Sequence, residues 1–394
     1  MSPSSSEPTP PSSSPSSSKQ TTRRRTLWPS ISLLSALAPL LSAAVFYQLF
    51  SFDPAPLPTH ELARRPILVP SQNPRMLRGA ELIGAGQLPG PEELAYDPKS
   101  GLLYTGCADG WIKRVTVMGS AADARVENWV NTGGRPLGLV LGGDDEVIVA
   151  DADKGLLKVR RDGAVELLTD EAEGVKFKLT DGVDMAKNGV IYFTDASHKY
   201  SLTHFIWDIL EGRPHGRLLS FDPSTRKTHL LLSDLYFPNG VAVSPDQLSV
   251  VFCETPMRRC RKYFIEGEGK GSVGNLVENL PGMPDNIHYD EETGYYWIAI
   301  AAEASFSWDM AQRYPFIRKC LAMMERYIGR PNMEKNSGIL GVDKDGKPVA
   351  FYLDPKLAML SSGIKVADHL YAGSVVLPYI IRLNLTEHPA KPII

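Results

Sequence analysis

The sequence predicts an all-β chain closed into a six-bladed β-propeller, with an N-terminal membrane-anchor helix and a helical insert in blade five. Three observations carry that prediction. Thirty-three glycines and 31 prolines among 394 residues impose frequent turns, which suits many short strands and not long helices. From residue 92 onward one unit recurs: a short segment, a turn rich in Asp, Gly or Pro, then an apolar strand ending at a small or acidic residue. Those strands begin near Leu102, Val147, Val190, Val250, Tyr295 and Leu370, and three of the five intervals match the roughly 40–50 residues of a four-stranded blade. Six such units close radially and protect their edges. A β-sandwich with long loops, the competing architecture, lacks this period.

Ahead of the repeats the composition changes three times. Residues 1–30 form a Ser/Pro-rich tail with no apolar periodicity, which predicts disorder. Arg23, Arg24 and Arg25 then precede a mostly apolar stretch, residues 31–50, close to the roughly 20 residues needed to cross a bilayer. Pro39, Ser32, Ser35, Ser42 and Gln48 weaken the span without excluding it. It reads as a signal-anchor, in competition with a cleaved signal peptide and a transit peptide. Arginines on the cytosolic side give a single-pass type II membrane protein of the endoplasmic reticulum and secretory pathway, its domain lumenal. The vacuole, or secretion after cleavage, is the alternative destination. The sequon Asn384-Leu385-Thr386 is the glycosylation site expected on that side. Residues 51–75 are proline-rich and read as a stalk. The propeller is expected over residues 76–394, with residues 76–86 completing the last blade.

Charge and cysteine content narrow the function. A net charge of −3 offers no field for a phosphate backbone, so nucleic acid is excluded as the main partner. Four cysteines make no disulfide scaffold, and none shows zinc-site spacing. Cys253 and Cys260 flank a turn at Pro256-Met257 and either form a disulfide across a hairpin or stay free and buried. The two long intervals hold insertions, near residues 199–215 and 303–335. Within the second, Trp308, Ile317, Leu321, Met324 and Ile328 follow helical spacing over residues 306–328. That helix either packs on the rim, covers the channel mouth, or faces a membrane.

Candidate chemistry sits where the innermost strands begin. Blade one opens with Gly90-Pro91-Glu92-Glu93-Leu94 and blade three with Leu179-Thr180-Asp181-Gly182. Blade four opens with Phe237-Pro238-Asn239-Gly240 and blade five with Met283-Pro284-Asp285-Asn286. Taken singly these are turn residues and solvated carboxylates. Four blades offering oxygen at one register point Glu92, Asp181, Asn239, Asp285 and Asn286 at one channel mouth. Carboxylates and amide oxygens, with no Cys or His, suit a hard cation, calcium before magnesium. His198, His215 and His288 read as hydrogen-bonded structural histidines.

The stretches VIYFTDAS (190–197), LEGRPHGRLLSFDP (210–223), FPNGVAVSPD (237–246) and LPGMPDNI (280–287) resemble the strictosidine synthase-like proteins of plants. The related adipocyte plasma membrane-associated protein is similar too, and paraoxonases and gluconolactonases more distantly. The distant resemblance implies calcium held by Glu92, Asn239, Asp285 and Asn286, with Asp181 standing where paraoxonases carry Asn. It also implies Asp285 as the residue that activates water. Two departures matter. Strictosidine synthase uses a blade-six Glu as base for its Pictet–Spengler condensation, and residues 356–365 (KLAMLSSGIK) contain no carboxylate. Paraoxonases use a blade-two His dyad, absent from Arg135-Pro136-Leu137-Gly138. The expectation is a calcium-dependent hydrolase of a small apolar ester or lactone. A Pictet–Spengler carbon–nitrogen lyase and a non-enzymatic binding propeller are the alternatives.

Overall fold

Six sheets, each built on four antiparallel strands and the fifth widened by two more, follow one another along the chain, and the first strands of neighbouring blades contact each other around a central axis. The computed structural model describes residues 28–117, 119–143, 145–329 and 335–393. Blade one comprises Leu94–Asp97, Leu102–Gly106, Trp111–Thr116 and Val126–Asn131. Blades two, three and four open with Pro136–Leu141, Thr180–Met185 and Pro238–Val243. Blade five opens with Gly282–Asp290 and blade six with Leu360–Val366. The recurring apolar strands of the sequence are the second strand of each blade. Glu81–Ile83 pairs with Ile380–Asn384, so the N-terminal segment closes the last blade. The fold is the expected six-bladed propeller.

Packing explains why those second strands are uniformly apolar. Val147–Asp151 and Ile191–Asp195 are buried at every position, because each blade is covered on both faces by its neighbours. Six apolar clusters result, one at each blade–blade interface. Phe193, fully buried between blades two and three, is typical. Truncating such a side chain to Ala costs about 3–5 kcal/mol. Asp turns tie strands together: Asp97 accepts from the backbone N–H groups of Lys99 and Ser100, and Asp290 from those of Glu292 and Thr293.

The segment expected as a stalk belongs to the propeller unit, which begins at Asp53 and not near Met76. Leu57 and Leu62 bury themselves against Met257, and Val69 joins the core between blades four and five. Ser71–Asn73 runs parallel to Pro348–Asp354 and pairs on its other side with Lys391–Pro392, widening blade five to six strands. Prolines hold such a segment extended, but its scattered apolar residues still gain by burial. Upstream, α1 spans Trp28–Ser51 with Pro39 inside it. Among the described residues no helix is long and apolar enough to cross a membrane. The Ser/Pro-rich tail lies almost wholly outside the described residues.

Both insertions are helical. The first gives α2 (Phe205–Glu211), and the second gives α3 (Phe306–Arg313) and α4 (Pro315–Tyr327). The single helix expected over residues 306–328 is thus two. Tyr314 takes an extended backbone (φ −121, ψ 102) because proline follows it, and Pro315 then starts α4 at the position proline favours. Fully buried Arg318 of α4 ties the insertions together. It donates to the carbonyls of Ala311 (3.0 Å), Leu210 (3.1 Å) and Ala55.

Candidate active site

In blades two to six the pairing of first and second strands skips at one shared place. The register jumps between Pro136 and Leu139, Thr180 and Val183, Pro238 and Val241, Pro284 and Ile287, and Leu360 and Ser362. The skipped residues include Asp181, Asn239, Asp285, Asn286 and Ser361. A bulge takes its extra residue out of the ladder and re-aims the side chain. Glycine lets neighbouring bulges nest: a Cβ on Gly182 would lie 2.6 Å from the Asn239 carbonyl oxygen, and one on Gly240 2.4 Å from Asn286 Cα. Hydroxyls pin the bulges. Thr194 Oγ1 accepts from Gly182 N–H (2.9 Å) and donates to the Asn239 carbonyl (2.6 Å). Thr255 donates to the Pro284 carbonyl and Ser361 to that of Glu92, both at 2.8 Å.

Glu92, Asp181, Asn239 and Asp285 line a cavity of about 930 Å³ at this mouth. Its upper wall is apolar and comes from the insertions: Phe205, Ile206 and Ile209 of α2, Trp308 of α3, Leu321 of α4. The helical insert therefore roofs the channel, and so does α2. Asn286 lies beneath the floor, where its amide nitrogen donates to Glu92 Oε1 at 2.8 Å. Asn239 donates to Asp285. Both amide nitrogens are thus spent on carboxylates, while Asn239 Oδ1, Asn286 Oδ1 and Glu92 Oε2 are buried without any hydrogen-bond partner. Native structures rarely leave such atoms bare.

Four acids share this small volume. Burial, then the charges of Asp285, Glu93 and Asp181, push the Glu92 carboxyl well above its usual range, against the opposing pull of Arg135. Burial and the charges of Asp181 and Glu93 do the same to Asp285. Burial and Glu93 raise Asp181 to about 7. Four further charged residues border the site: Glu93, Arg135, Glu303 and Glu325. Glu93 accepts from His288 Nε2 (2.7 Å), Ser362 Oγ (2.5 Å) and the Leu94 N–H (2.9 Å). Arg135 is buried on the cavity wall and donates to the Gly90 carbonyl at 3.0 Å. Its signal was present: a charged residue directly before the blade-two bulge. Glu303, which ends the strand Tyr295–Glu303, also lines the cavity, as does Glu325 of α4, an insertion helix whose path the sequence did not specify.

The remaining candidates lie apart from the cavity. His215 Nδ1 and Ser197 Oγ both bond Asp208 Oδ2, at 2.9 and 2.6 Å, and the His198 ring meets His215 edge-on. Carboxylate at the centre, with serine and histidine both on it, orders the loop before α2 and is no nucleophile–base pair. Cys253 and Cys260 oppose each other on adjacent strands and are joined as a disulfide. Asn384 ends a strand, its Oδ1 accepting from the Thr386 and Glu387 N–H groups. Among the described residues no group of three or more His, Cys, Asp or Glu is arranged to hold a metal ion. A cation at the channel mouth would depend on the two asparagine oxygens as well.

The sequence matches the strictosidine synthase family over residues 181–268 and the strictosidine synthase-like N-terminal family over residues 71–115. It is 53% identical over 355 residues to strictosidine synthase-like protein 4 of Arabidopsis thaliana, spanning 90% of this chain and 95% of that one. The chain belongs to the strictosidine synthase-like family. Chicken adipocyte plasma membrane-associated protein is 32% identical over 377 residues, 90% of this chain and 89% of its own. A gluconolactonase structure from Xanthomonas campestris superposes with a TM-score of 0.56 at 15% identity, over 84% of this chain and 98% of its own, and so shares the fold. Within this family member, Ser361 and Ser362 occupy the blade-six stretch that carries no carboxylate. Both are fully buried.

Proposed function

We propose that this propeller hydrolyses a small ester or lactone with an apolar body, in a metal-dependent reaction at the channel mouth. One observation carries the reading: crowded carboxylates floor a cavity with an apolar roof, and bare buried oxygens of Glu92 and Asn239 belong to that floor, with that of Asn286 beneath it. Oxygen donors alone, part carboxylate and part amide, fit calcium. Glu92, Asn239, Asp285 and Asn286 would hold it, with Asp181 alongside. Calcium bound there would polarise a substrate carbonyl.

The chain's own residues do the rest. The α2, α3 and α4 side chains seat the apolar body and keep bulk water from it. Burial and the charges of Asp181 and Glu93 keep the Asp285 carboxyl raised overall and so a ready proton acceptor once ionised, while hydrogen bonds from Asn239 and the Asn286 backbone favour its ionised form. It takes a proton from the water that attacks the carbonyl carbon, then returns that proton to the departing alkoxide. Ester plus water becomes acid plus alcohol. We also propose that residues 31–50 anchor the chain in a secretory-pathway membrane with the propeller lumenal, a reading supported by a relative whose name associates it with the plasma membrane.

The test is a panel of aryl esters and lactones offered to the purified chain in calcium and in chelator. Hydrolysis that disappears in chelator and in Asp285→Ala supports the reading. Condensation of tryptamine with secologanin that persists in chelator would overturn it in favour of the lyase. Calcium binding with no turnover of any substrate would leave a binding propeller.

A further inference from the structure

The outward side of α4 is apolar. Phe316, Cys320 and Tyr327 are exposed and Met323 half-buried, at i, i+4, i+7 and i+11, which sets them on one stripe of the helix. Phe306 (80% exposed) opens α3, and Ile328 (76%) follows α4. Soluble monomers seldom present so many large apolar side chains on one short segment. The inward side is committed: Arg318 and Ala322 are buried, and Leu321 and Glu325 line the cavity.

Charge on the insertion is sorted in the same way. Its two acids between residues 306 and 329 are engaged inwards, Asp309 facing Arg258 at 3.6 Å and Glu325 at the cavity wall. Arg313 and Arg326, next in sequence to Tyr314 and Tyr327, are exposed. Aromatic residues with flanking cations suit the headgroup region of an anionic bilayer. Chain connectivity agrees. Ala55, near the start of the propeller unit, donates its N–H to the Glu211 carbonyl at 2.8 Å and gives its own carbonyl to Arg318. The propeller unit therefore begins beside the helices that roof the cavity.

We infer that the outer face of α3 and α4 seats on an anionic lipid surface, which sets the cavity mouth at the headgroups. Apolar ligands then reach the cavity from the bilayer and not from bulk water. This goes beyond the hydrolase reading and holds whether or not the chain is an enzyme.

The protein carries its own reporter. Cys320 is exposed within the stripe, Cys107 is buried, and Cys253 and Cys260 are bonded to each other. A polarity-sensitive thiol dye on Cys320 of the full chain, in phosphatidylcholine vesicles with and without phosphatidylserine, reads the contact through quenching by nitroxide lipids. The expected result is strong quenching that increases with phosphatidylserine. It should fall, in Phe316→Ser/Tyr327→Ser, to the level of a dye on Ser100→Cys in a Cys320→Ser background, Ser100 being in an exposed turn of blade one. If the double variant does not fold, the comparison of the dye on Cys320 of the wild type with the dye on Ser100→Cys still decides. Equal quenching at residues 320 and 100 overturns the inference. So does a Cys320 dye already shielded in lipid-free detergent with dimeric sedimentation, which would make a second copy the occupant.

Discussion

Asn286 and Glu92, 194 residues apart in sequence, meet across the channel through a 2.8 Å hydrogen bond from the asparagine amide. The bond joins blade five to blade one and leaves one bare oxygen on each residue. Either the burial of those oxygens is a standing cost, or something positive completes them. Melting in calcium and in chelator distinguishes the two.

Calcium should raise the melting temperature by several degrees, since a ligand at a hundredfold excess over its dissociation constant adds about 2.7 kcal/mol. Glu92→Ala and Asp285→Ala should abolish that rise. Gly240→Ala should abolish it too, because its new Cβ would collide with Asn286 Cα. Identical melting of wild type in calcium and in chelator would mean that the oxygens hold no cation.

Stability in chelator should fall as pH rises from about 5 to about 8. Asp181 keeps its proton in the folded chain up to about 7 but releases it near 3.8 when unfolded. Between those values the folded state binds more protons, so the free energy of unfolding drops with increasing pH. Glu92 and Asp285 are shifted in the same direction. Calcium should flatten the slope by partnering the ionised carboxylates. A melting temperature in chelator that climbs over this range would contradict the crowding of acids at the floor.

Arg318→Met should loosen the cavity roof more than the propeller. The guanidinium is buried, its pKa depressed to about 10 chiefly by burial, and its hydrogen-bond partners are carbonyls on three separate segments. Charge-assisted hydrogen bonds contribute about 1.5–3 kcal/mol each. Hydrogen exchange in α2 and α4 should accelerate at least tenfold while the blade strands keep their protection. Uniform acceleration everywhere would show that the roof is not an independent unit.

Asn384→Gln should remove a glycosidase-sensitive mass shift from protein made in sealed microsomes. The same preparation should protect the propeller from added protease. A propeller digested without detergent would reverse the proposed topology.

The sequence alone determined the blade count, because the apolar strand of each blade is buried on both faces and has to be written as a recognisable run. It determined the register of the site too: Asp181, Asn239 and Asp285 sit in short motifs at the start of each blade, and local bulges need local residues. Tertiary structure decided what those residues meet. Asn286 on Glu92, His288 on Glu93 and Ser361 on the Glu92 carbonyl are contacts between blades, and ring closure brings them together without leaving a local pattern. It also decided the fate of the proline-rich segment and the roof. Leu57 and Leu62 look solvent-bound until Met257 is placed against them, and α4 shows which of its apolar faces is inward only once Arg318 finds its three carbonyls. Patterns set by a strand's own period are legible in order along the chain; pairings between distant segments exist only after the ring has closed.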